Sequence, residues 1–366
     1  MYDIQDIKNS IITGHALDVL RKMPSDSVDC AITSSPYYGL RSYNTTPQIW
    51  GGHRNCEHVW NVYIKRGISG GTKSNKVKVK GKDNFQIVPN LEVGLCDVCG
   101  AWMGELGQEP SPKMFIANLT EIFSETMRVL KPTGSLWVNL GDSYAANRSY
   151  QVTGTKQVDG SQPTKYKQPQ ARDFGIEEKS LIGIPDRLKV SMIDSGFICR
   201  NEIIWHRPNQ MPSSARDRFT VDFEKIYWFT KNQKYYFEQQ FDEYTKPMNR
   251  WGGEDLKANG KSDWDDGTGQ DTYRARNMRP NPKGKNKRTV WSINTVPSKV
   301  KHFASYPQQL IETPILATCP ENGIVLDMFF GSGTTGAVAK RLNRNWIGVE
   351  LNPEYVEIAK SRLGVE

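Results

Sequence analysis

The stretch Val325–Leu351, VLDMFFGSGTTGAVAKRLNRNWIGVEL, holds an apolar run, a glycine-rich loop, a helix-like segment and a second apolar run that ends in an acid. Glycines let a ligand approach the backbone closely, and a helix that starts in such a loop offers unpaired N–H groups. The acid at the end of the second run, Glu350, can accept hydrogen bonds from ribose hydroxyls. The stretch therefore predicts a strand–loop–helix–strand unit that binds a nucleoside cofactor.

Two other interpretations of this loop stay open from the residues alone. A tight turn between a strand and a helix can need the same glycines without any ligand. An NAD site is not favoured, because the loop lacks the full Gly-x-Gly-x-x-Gly pattern, and the absence of a following Gly-Lys-[Ser/Thr] excludes a phosphate-binding P-loop. The ordered combination of strand, loop, helix, strand and terminal acid favours the nucleoside site.

Strand-like and helical patterns also alternate elsewhere in the chain. Strand-like runs include VDCAIT, SLWVNLG and KIYWFTKN, and helical runs include FIANLTEIFSETMRVL, IPDRLKVSMIDSG and NPEYVEIAKSRL. This alternation predicts an α/β fold, a mostly parallel sheet with helices on both faces. Residues 45–113 and 240–300 are rich in Gly, Lys and Asn and interrupt the alternation, so they are predicted to be insertions.

A second polar loop, Thr33–Tyr38 (TSSPYY), follows the apolar run VDCAI. In α/β proteins, ligands bind at the carboxyl ends of the strands. A base held for chemistry on its amino group needs an aromatic face, which Tyr37 can supply, and oxygen acceptors such as the Ser34 hydroxyl. From these residues alone, a β-turn without a chemical role is an equal alternative.

The composition limits the classes of protein that fit. Lys and Arg outnumber Asp and Glu by 48 to 40, giving a net charge of +8, which fits a polyanionic partner and a merely basic surface equally well. No apolar run reaches the roughly 18 residues of a membrane span, and the N-terminus lacks the pattern of a secretory signal. With six cysteines in 366 residues, a disulfide scaffold is not expected, and a cytoplasmic location fits.

Four of the cysteine and histidine side chains have the spacing of a metal site: Cys56-x-His58 and, after a long gap, Cys96-x-x-Cys99. Two such pairs can complete a tetrahedral zinc site, and four protein ligands leave no open position for catalysis. We therefore predict a structural Zn²⁺ that stabilises the first insertion. Buried free thiols or a redox Cys-x-x-Cys remain alternatives.

Together, the two loops resemble those of the β-class DNA amino-methyltransferases, which methylate cytosine N4 or adenine N6 with S-adenosylmethionine. In that circularly permuted family the catalytic loop, [Ser/Asp/Asn]-Pro-Pro-[Tyr/Phe/Trp], precedes the cofactor loop, Asp-Pro-Phe-x-Gly-Ser-Gly-Thr-Thr. This chain has the same order, and the middle blocks KPTGSLWVNLGDSYA and IPDRLKVSMIDSGFICRNEIIWHRPNQMPSS also match. The resemblance covers most of the chain and implies a Rossmann-like class I methyltransferase core with a seven-stranded, circularly permuted sheet.

The resemblance carries site residues over position by position. The catalytic loop maps onto Ser34, Ser35, Pro36 and Tyr37. The cofactor site maps onto Asp327, Phe329, Gly331, Ser332, Gly333, Thr334, Glu350 and Asn352, with Phe303, Ala304 and Pro307 enclosing the methionine end and His15 where many members have an acid near the adenine ring. Ser35 replaces the first proline of the catalytic loop, and Met328 replaces the proline of the cofactor loop.

The activity implied is direct methyl transfer to the amino group of a flipped base. A serine-type loop favours cytosine N4, with adenine N6 as the alternative. Cytosine-C5 chemistry is disfavoured because its Pro-Cys pair is missing, the chain having only Cys319-Pro320. A protein of another class, a zinc-stabilised DNA-binding protein impaired at Ser35, also stays open.

The resemblance also divides the chain and implies its partners. Residues 1–44 and 114–239 form the catalytic half, 45–113 the zinc-binding insertion, 240–300 the target-recognition region and 301–366 the cofactor-binding half. The partner is double-stranded DNA, with a separate cognate restriction endonuclease in a prokaryotic or phage system. Predicted phosphate contacts, which could equally be solvated surface, are Arg274, Arg276, Arg279, Lys283, Lys285, Lys287 and Arg288.

Overall fold

The computed structural model describes residues 1–39, 43, 45–53, 55–65, 91–145, 174–244, 281, 283–296 and 306–365. Within them, eight strands form one sheet. These are β1 (Ser10–Thr13), β2 (Val28–Ser34), β7 (Leu130–Leu140), β8 (Ile198–His206), β9 (Phe223–Thr230), β12 (Val290–Ser292), β13 (Ile324–Asp327) and β14 (Asn345–Glu350). Four more strands form a second, antiparallel sheet: β3 (Gln48–Trp50), β4 (Trp60–Lys65), β5 (Leu91–Cys96) and β6 (Trp102–Gly104). A short antiparallel pair joins β10 (Phe241–Asp242) to β11 (Lys285–Asn286).

The order of the large sheet is β1-β14-β13-β2-β7-β9-β8-β12. All neighbouring pairs are parallel except those made by β9, which runs antiparallel to β7 and to β8. The strands from the two ends of the chain meet at its centre, where β13 pairs with β2. The carboxyl ends of β2, β7, β13 and β14 therefore lie at one edge, beside the beginning of β9.

Six helices cover the two faces of the sheet in the described residues: α1 (Ala16–Lys22), α2 (Pro112–Val129), α3 (Ile184–Asp194), α4 (Gln308–Thr318), α5 (Thr334–Arg341) and α6 (Pro353–Leu363). The strands alternate between two cores, since Ala31 of β2 packs into the core under α1, α2 and α3 while Cys30 and Ile32 pack into the core under α4, α5 and α6. Both faces being buried explains why β2 is almost continuously apolar. The predicted Rossmann-like α/β fold is confirmed.

The sheet differs from the prediction in its number of strands, eight where the resemblance implied seven. The additional strand, β12, pairs in parallel with β8, and its Trp291 packs near Trp137 in the core at 6.5 Å between ring centroids. Because β12 lies inside residues 240–300, the last part of that segment contributes to the sheet. The sequence did not reveal this, since three residues are too few to show a strand period.

Candidate active site

The two polar loops open into one cleft at the carboxyl edge of the sheet. Its volume is about 1540 Å³, and both Tyr37 and Gly331 line it. Thr33, the residue before Ser34, donates a 2.7 Å hydrogen bond from Oγ1 to Asp327 Oδ1, so the loops are tied together although they are 294 residues apart in the chain. The fold therefore brings the predicted base loop and the predicted cofactor loop into one site.

The glycine loop has a backbone that glycine accommodates. Gly331 and Gly333 have φ angles of +51° and +78°, in the left-handed region that other residues rarely adopt. The Gly331 N–H donates to Glu350 Oε2 at 2.7 Å, and the Asn352 N–H donates to Oε1 at 2.8 Å. A carboxylate has about four acceptor positions, so Glu350 keeps capacity for ribose hydroxyls. Burial raises the pKa of this carboxyl above its usual value.

Asp327 lies beneath the loop and is almost fully buried. Its carboxylate accepts hydrogen bonds from Thr33, from the hydroxyls of Tyr306 and Thr335, and from the Phe329 N–H at 3.0 Å. Burial raises its pKa. These contacts give Asp327 a part in holding the loop and joining it to β2, in addition to its place in the cleft lining.

His15 immediately precedes α1 and lines the cofactor end of the cleft. Its ring lies edge-on to Trp50, with 4.5 Å between centroids, and burial lowers its pKa, which favours the neutral imidazole. Its Nε2 is buried and has no hydrogen-bond partner in the part of the chain that the structure describes. An unpaired buried ring nitrogen in a ligand cleft fits a polar group of a bound nucleoside. Trp50 is a wall residue that the sequence did not single out.

The other predicted cofactor residues divide into three groups. Phe329, Ser332, Thr334 and Asn352 line the cleft, and Asn352 also caps α6 by accepting the Glu354 N–H at 2.9 Å. Pro307 is the buried residue that precedes α4, and its neighbour Tyr306 reaches the cleft. Phe303 and Ala304 lie outside the described residues.

The base loop carries a hydrogen-bonded group of side chains. Ser34 Oγ donates to Asn139 Oδ1 at 3.1 Å, and the Tyr37 hydroxyl donates to the same oxygen at 3.3 Å. The Tyr37 hydroxyl also donates to Glu224 Oε2. Burial, and then the Glu224 carboxylate, raises the pKa of Tyr37, so its phenol stays protonated. Pro36 lines the cleft as well.

Ser35 differs from its neighbours in the loop. It is buried, and its Oγ has no hydrogen-bond partner among the described residues. The Ser35 hydroxyl therefore does not support the loop, although the residue touches the cleft. Ser34 is the serine of this loop whose hydroxyl contacts Asn139.

Three side chains of this group were not singled out from the sequence: Asn139, Arg207 and Glu224. Asn139 is near the end of β7, and Glu224 near the start of the antiparallel β9, which places both at the same edge. Arg207 Nη1 and Glu224 Oε1 form an ion pair at 2.8 Å in which both side chains are mostly buried. In the sequence, Glu224 is visible only as an acid near the start of the strand-like run FEKIYWFT. It can be placed at this edge only once β9 is known to run antiparallel to β7.

Glu109 supports the base loop from below. Its carboxylate accepts the Gly107 N–H at 2.7 Å and Asn118 Nδ2 at 3.0 Å. Gly107 in turn accepts the Gly39 N–H at 2.8 Å, and a Cβ at Gly107 would lie only 2.9 Å from the Tyr37 carbonyl oxygen. Burial raises the pKa of Glu109 to about 7.

We expect the stability of the variant Glu109→Gln, measured relative to the wild type, to be greater above pH 7 than near pH 5. The folded protein holds the Glu109 proton up to about pH 7, whereas the unfolded chain releases it near its ordinary value, so wild-type stability falls as pH rises through this window. Above pH 7, the ionisation of Glu109 lowers the free energy of unfolding of the wild type by at most about 3 kcal/mol. Thermal unfolding of both proteins at pH 5 and pH 8 measures this difference in stability. The same difference in Tm between the two proteins at both pH values would contradict the prediction.

The four predicted metal ligands lie together beside the second sheet. The ligand atoms of Cys56, His58, Cys96 and Cys99 all fall within 4.8 Å of one another. The Cys56 and Cys96 sulfurs are 3.9 Å apart, and Cys99 Sγ is 3.4 Å from His58 Nδ1. Tetrahedral zinc would place such pairs about 3.5 to 3.8 Å apart. These two pairs are close to the tetrahedral spacing, and the four side chains offer the donor set of a Cys₃His site.

The basic residues of the second insertion are only partly described. Lys283 and Arg288 are exposed, as a phosphate contact requires. Lys287 is instead paired with Asp242 at 3.0 Å, and Lys285 lies in β11, half-buried. Arg274, Arg276 and Arg279 lie outside the described residues.

A Rossmann-like sheet with a glycine loop, a ribose-type acid and an adjoining Ser-Pro-Tyr loop defines a nucleoside-dependent α/β transferase of the class I methyltransferase type. A family model described as DNA methylase, covering N6 and N4 enzymes, matches residues 28–361. The chain belongs to this family of DNA amino-methyltransferases, as the resemblance of its motifs implied.

Individual relatives agree with this membership. The type II methyltransferase M.Cfr9I of Citrobacter freundii is 33% identical over 97% of this chain and 87% of its own length. M.SmaI of Serratia marcescens, also a type II methyltransferase, is 30% identical over 96% of this chain and 90% of its own length. The solved PvuII DNA methyltransferase, described as cytosine-N4-specific, shares the fold with a TM-score of 0.53 at 18% identity, over 97% of this chain and 86% of that one.

The protein is thus a DNA methyltransferase that acts on cytosine N4 or adenine N6. In the part of the chain that the structure describes, none of the helices has the length and apolar character needed to span a membrane.

Proposed function

We propose that the protein methylates the N4 amino group of a flipped cytosine at a specific DNA site, using S-adenosylmethionine. The observation that carries this proposal is the single cleft in which Thr33 joins the base loop to Asp327 of the cofactor loop. The serine at position 34 favours cytosine over adenine. Nucleoside analysis of methylated DNA tests the choice: N4-methylcytosine is expected, and N6-methyladenine would favour the alternative.

The residues of the cleft fit the cofactor. Glu350 would accept the ribose hydroxyls, the glycine loop would allow close approach, and His15 Nε2 offers an unpaired nitrogen at the same end. When bound, S-adenosylmethionine supplies a methyl group on a sulfonium ion. Asp327 keeps the loop in place from below.

The base loop would hold the target amino group in position for direct transfer. Tyr37 would stack on the flipped base, and Ser34 and the Ser35 carbonyl would accept hydrogen bonds from the amino group, so that the nitrogen lone pair faces the cofactor end. The rate then comes from positioning and charge complementarity, without a covalent enzyme intermediate. Ser35 stands where the family has proline. The conformation of the loop at this position therefore depends on the packing of the buried Ser35.

We propose that residues 45–113 form a zinc-binding insertion and that residues 240–300 contain the target-recognition region, although β12 of that segment joins the core sheet. Residues 1–44, 114–239 and 301–366 would then form the two halves of the core. Lys283 and Arg288 support phosphate contact by their exposure. We also propose a type II restriction–modification system with a separate endonuclease, with which the name type II methyltransferase of the relatives is compatible, and a cytoplasmic location beside the DNA.

We expect freshly purified, unchelated protein to contain about one zinc ion per chain. Cys99→Ser should lose the metal and lower Tm, because the binding energy of a structural zinc is part of the folding energy. Cys199→Ser, which changes a cysteine of β8 outside the cluster, is the matched control and should keep the metal. Elemental analysis of the wild type, Cys99→Ser and Cys199→Ser measures the zinc content of each protein. A wild type without zinc would contradict the predicted site.

A further inference from the structure

We propose that Glu224 is a positioning residue that sets the direction of the hydrogen bond made by Ser34, acting through Asn139. The inference rests on the proposed role of Ser34 as an acceptor for the amino group of the target base. That role requires the Ser34 proton to point away from the base, because an amino group is itself a donor. The structure contains a chain of contacts that produces this direction.

The chain of contacts begins at Arg207. A guanidinium only donates hydrogen bonds, and Nη1 of Arg207 lies 2.8 Å from Glu224 Oε1. The side chains of Arg207 and Glu224 are 16% and 11% exposed, so solvent does not replace either partner freely. Arg207 therefore holds one carboxylate oxygen and leaves the other, Oε2, directed to the base loop.

Glu224 then fixes the orientation of the Asn139 amide. Asn139 Nδ2 donates to Glu224 Oε2 at 3.1 Å and to the Lys225 carbonyl at 3.4 Å. The opposite orientation would direct the amide oxygen at a carboxylate and at a carbonyl, with no donor between them. The acceptors on this side thus require the nitrogen here, and the amide oxygen must face Ser34 and Tyr37.

The result at Ser34 is a fixed polarity. Asn139 Oδ1 can only accept, so Ser34 Oγ donates its proton to it at 3.1 Å. The lone pairs of Ser34 are left for a donor in the cleft, which is what an exocyclic amino group presents. A hydroxyl on its own could rotate either way, and Glu224 removes that choice although it does not touch Ser34 itself.

The variant Glu224→Gln should reverse this polarity. The new side-chain oxygen must face Arg207, so its NH2 group meets Asn139, and the Asn139 amide turns over. Asn139 Nδ2 then donates to Ser34, whose proton is directed at the base. We expect kcat to fall roughly ten- to a hundredfold while the KM for DNA and the Kd for S-adenosylmethionine stay within about threefold.

The double variant Asn139→Asp with Glu224→Gln should recover most of the lost rate. It exchanges the carboxylate and the amide without changing the total charge. The amide introduced at position 224 would then donate to the carboxylate introduced at position 139. Because that carboxylate accepts on both oxygens, it would again receive the Ser34 proton. Asn139→Asp alone should be impaired, because it places a second carboxylate against Glu224 and removes the amide donor that now joins the two side chains.

The experiment measures single-turnover methylation of one DNA substrate by the wild type, both single variants and the double variant, with cofactor affinity and Tm measured in parallel. Low rates in both single variants and recovery in the double variant are expected. Wild-type kcat in Glu224→Gln, or a double variant no faster than Glu224→Gln, would overturn the proposal. If Glu224→Gln does not fold, Asn139→Leu removes the acceptor of Ser34 instead, and an unchanged kcat there would overturn it equally.

A failure of the proposed function would look different. If the amino group acted on were not held by Ser34, then Ser34→Ala would keep the wild-type rate in the same assay. The inference about Glu224 fails alone when Ser34→Ala is slow but the exchange of carboxylate and amide has no effect.

Discussion

Tyr37→Ala is expected to lose methyl transfer by roughly a hundredfold or more while its affinity for S-adenosylmethionine stays within about threefold of the wild-type value. Stacking on an aromatic ring contributes about 1–3 kcal/mol per base, and the positioning of the base is lost together with the ring. The ring lies against Gly141, where a Cβ would come within 2.7 Å of it, and its hydroxyl contacts Asn139 and Glu224. Those contacts fix the ring plane. Single-turnover transfer and calorimetric cofactor binding measure the two effects separately.

Tyr37→Phe is the matched control for this change. It keeps the aromatic face and removes only the hydroxyl, so we expect a smaller loss, about tenfold or less. Transfer by Tyr37→Ala at the wild-type rate would show that the base is not held on this ring. An equal loss of cofactor binding would show that Tyr37 belongs to the cofactor end of the cleft.

Gly331→Val is expected to weaken S-adenosylmethionine binding by roughly a hundredfold or more, equivalent to about 3 kcal/mol. The φ of +51° is unfavourable for a branched residue by about 1–2 kcal/mol. A Cβ at Gly331 meets no protein atom within 4 Å, so the side chain would project into open space of the cleft lining. Calorimetric titration with the cofactor measures the loss.

Gly364→Val separates the effect on the cleft from the effect of backbone strain. Gly364 follows α6 with a φ of +65°, is exposed and also has no protein atom near its Cβ position. Both variants should lose similar stability, and only Gly331→Val should lose the cofactor. If Gly331→Val bound the cofactor as tightly as the wild type does, the glycine loop would not be part of the cofactor site.

The features that could be predicted from the sequence are those encoded in short contiguous stretches. The glycine loop with Glu350, the helices α2, α3, α5 and α6, and the Cys/His pairs each show their chemistry within a few residues or by a regular period. The helix α4 was not predicted, since Pro314 lies inside it and its apolar period is short.

The features that could not be predicted depend on how distant segments meet. Glu224 reaches Tyr37 only because β9 runs antiparallel, and a strand's direction is set by its pairing partners, not by its own residues. Trp50 meets His15 because the second sheet packs beside the core, and nothing in the chain between these two residues marks the contact. The partner of a buried polar group is a property of the fold, so Asn139 and Arg207 appeared only with the structure.

The most direct test of a single amino-methyltransferase site is the product formed on DNA. Plasmid DNA is incubated with the purified protein and S-adenosylmethionine labelled in its methyl group, then digested to nucleosides and separated by mass spectrometry, with Tyr37→Ala in parallel. We expect labelled N4-methylcytosine from the wild type and only a trace from the variant. A wild type that leaves the label on neither N4-methylcytosine nor N6-methyladenine would contradict the site.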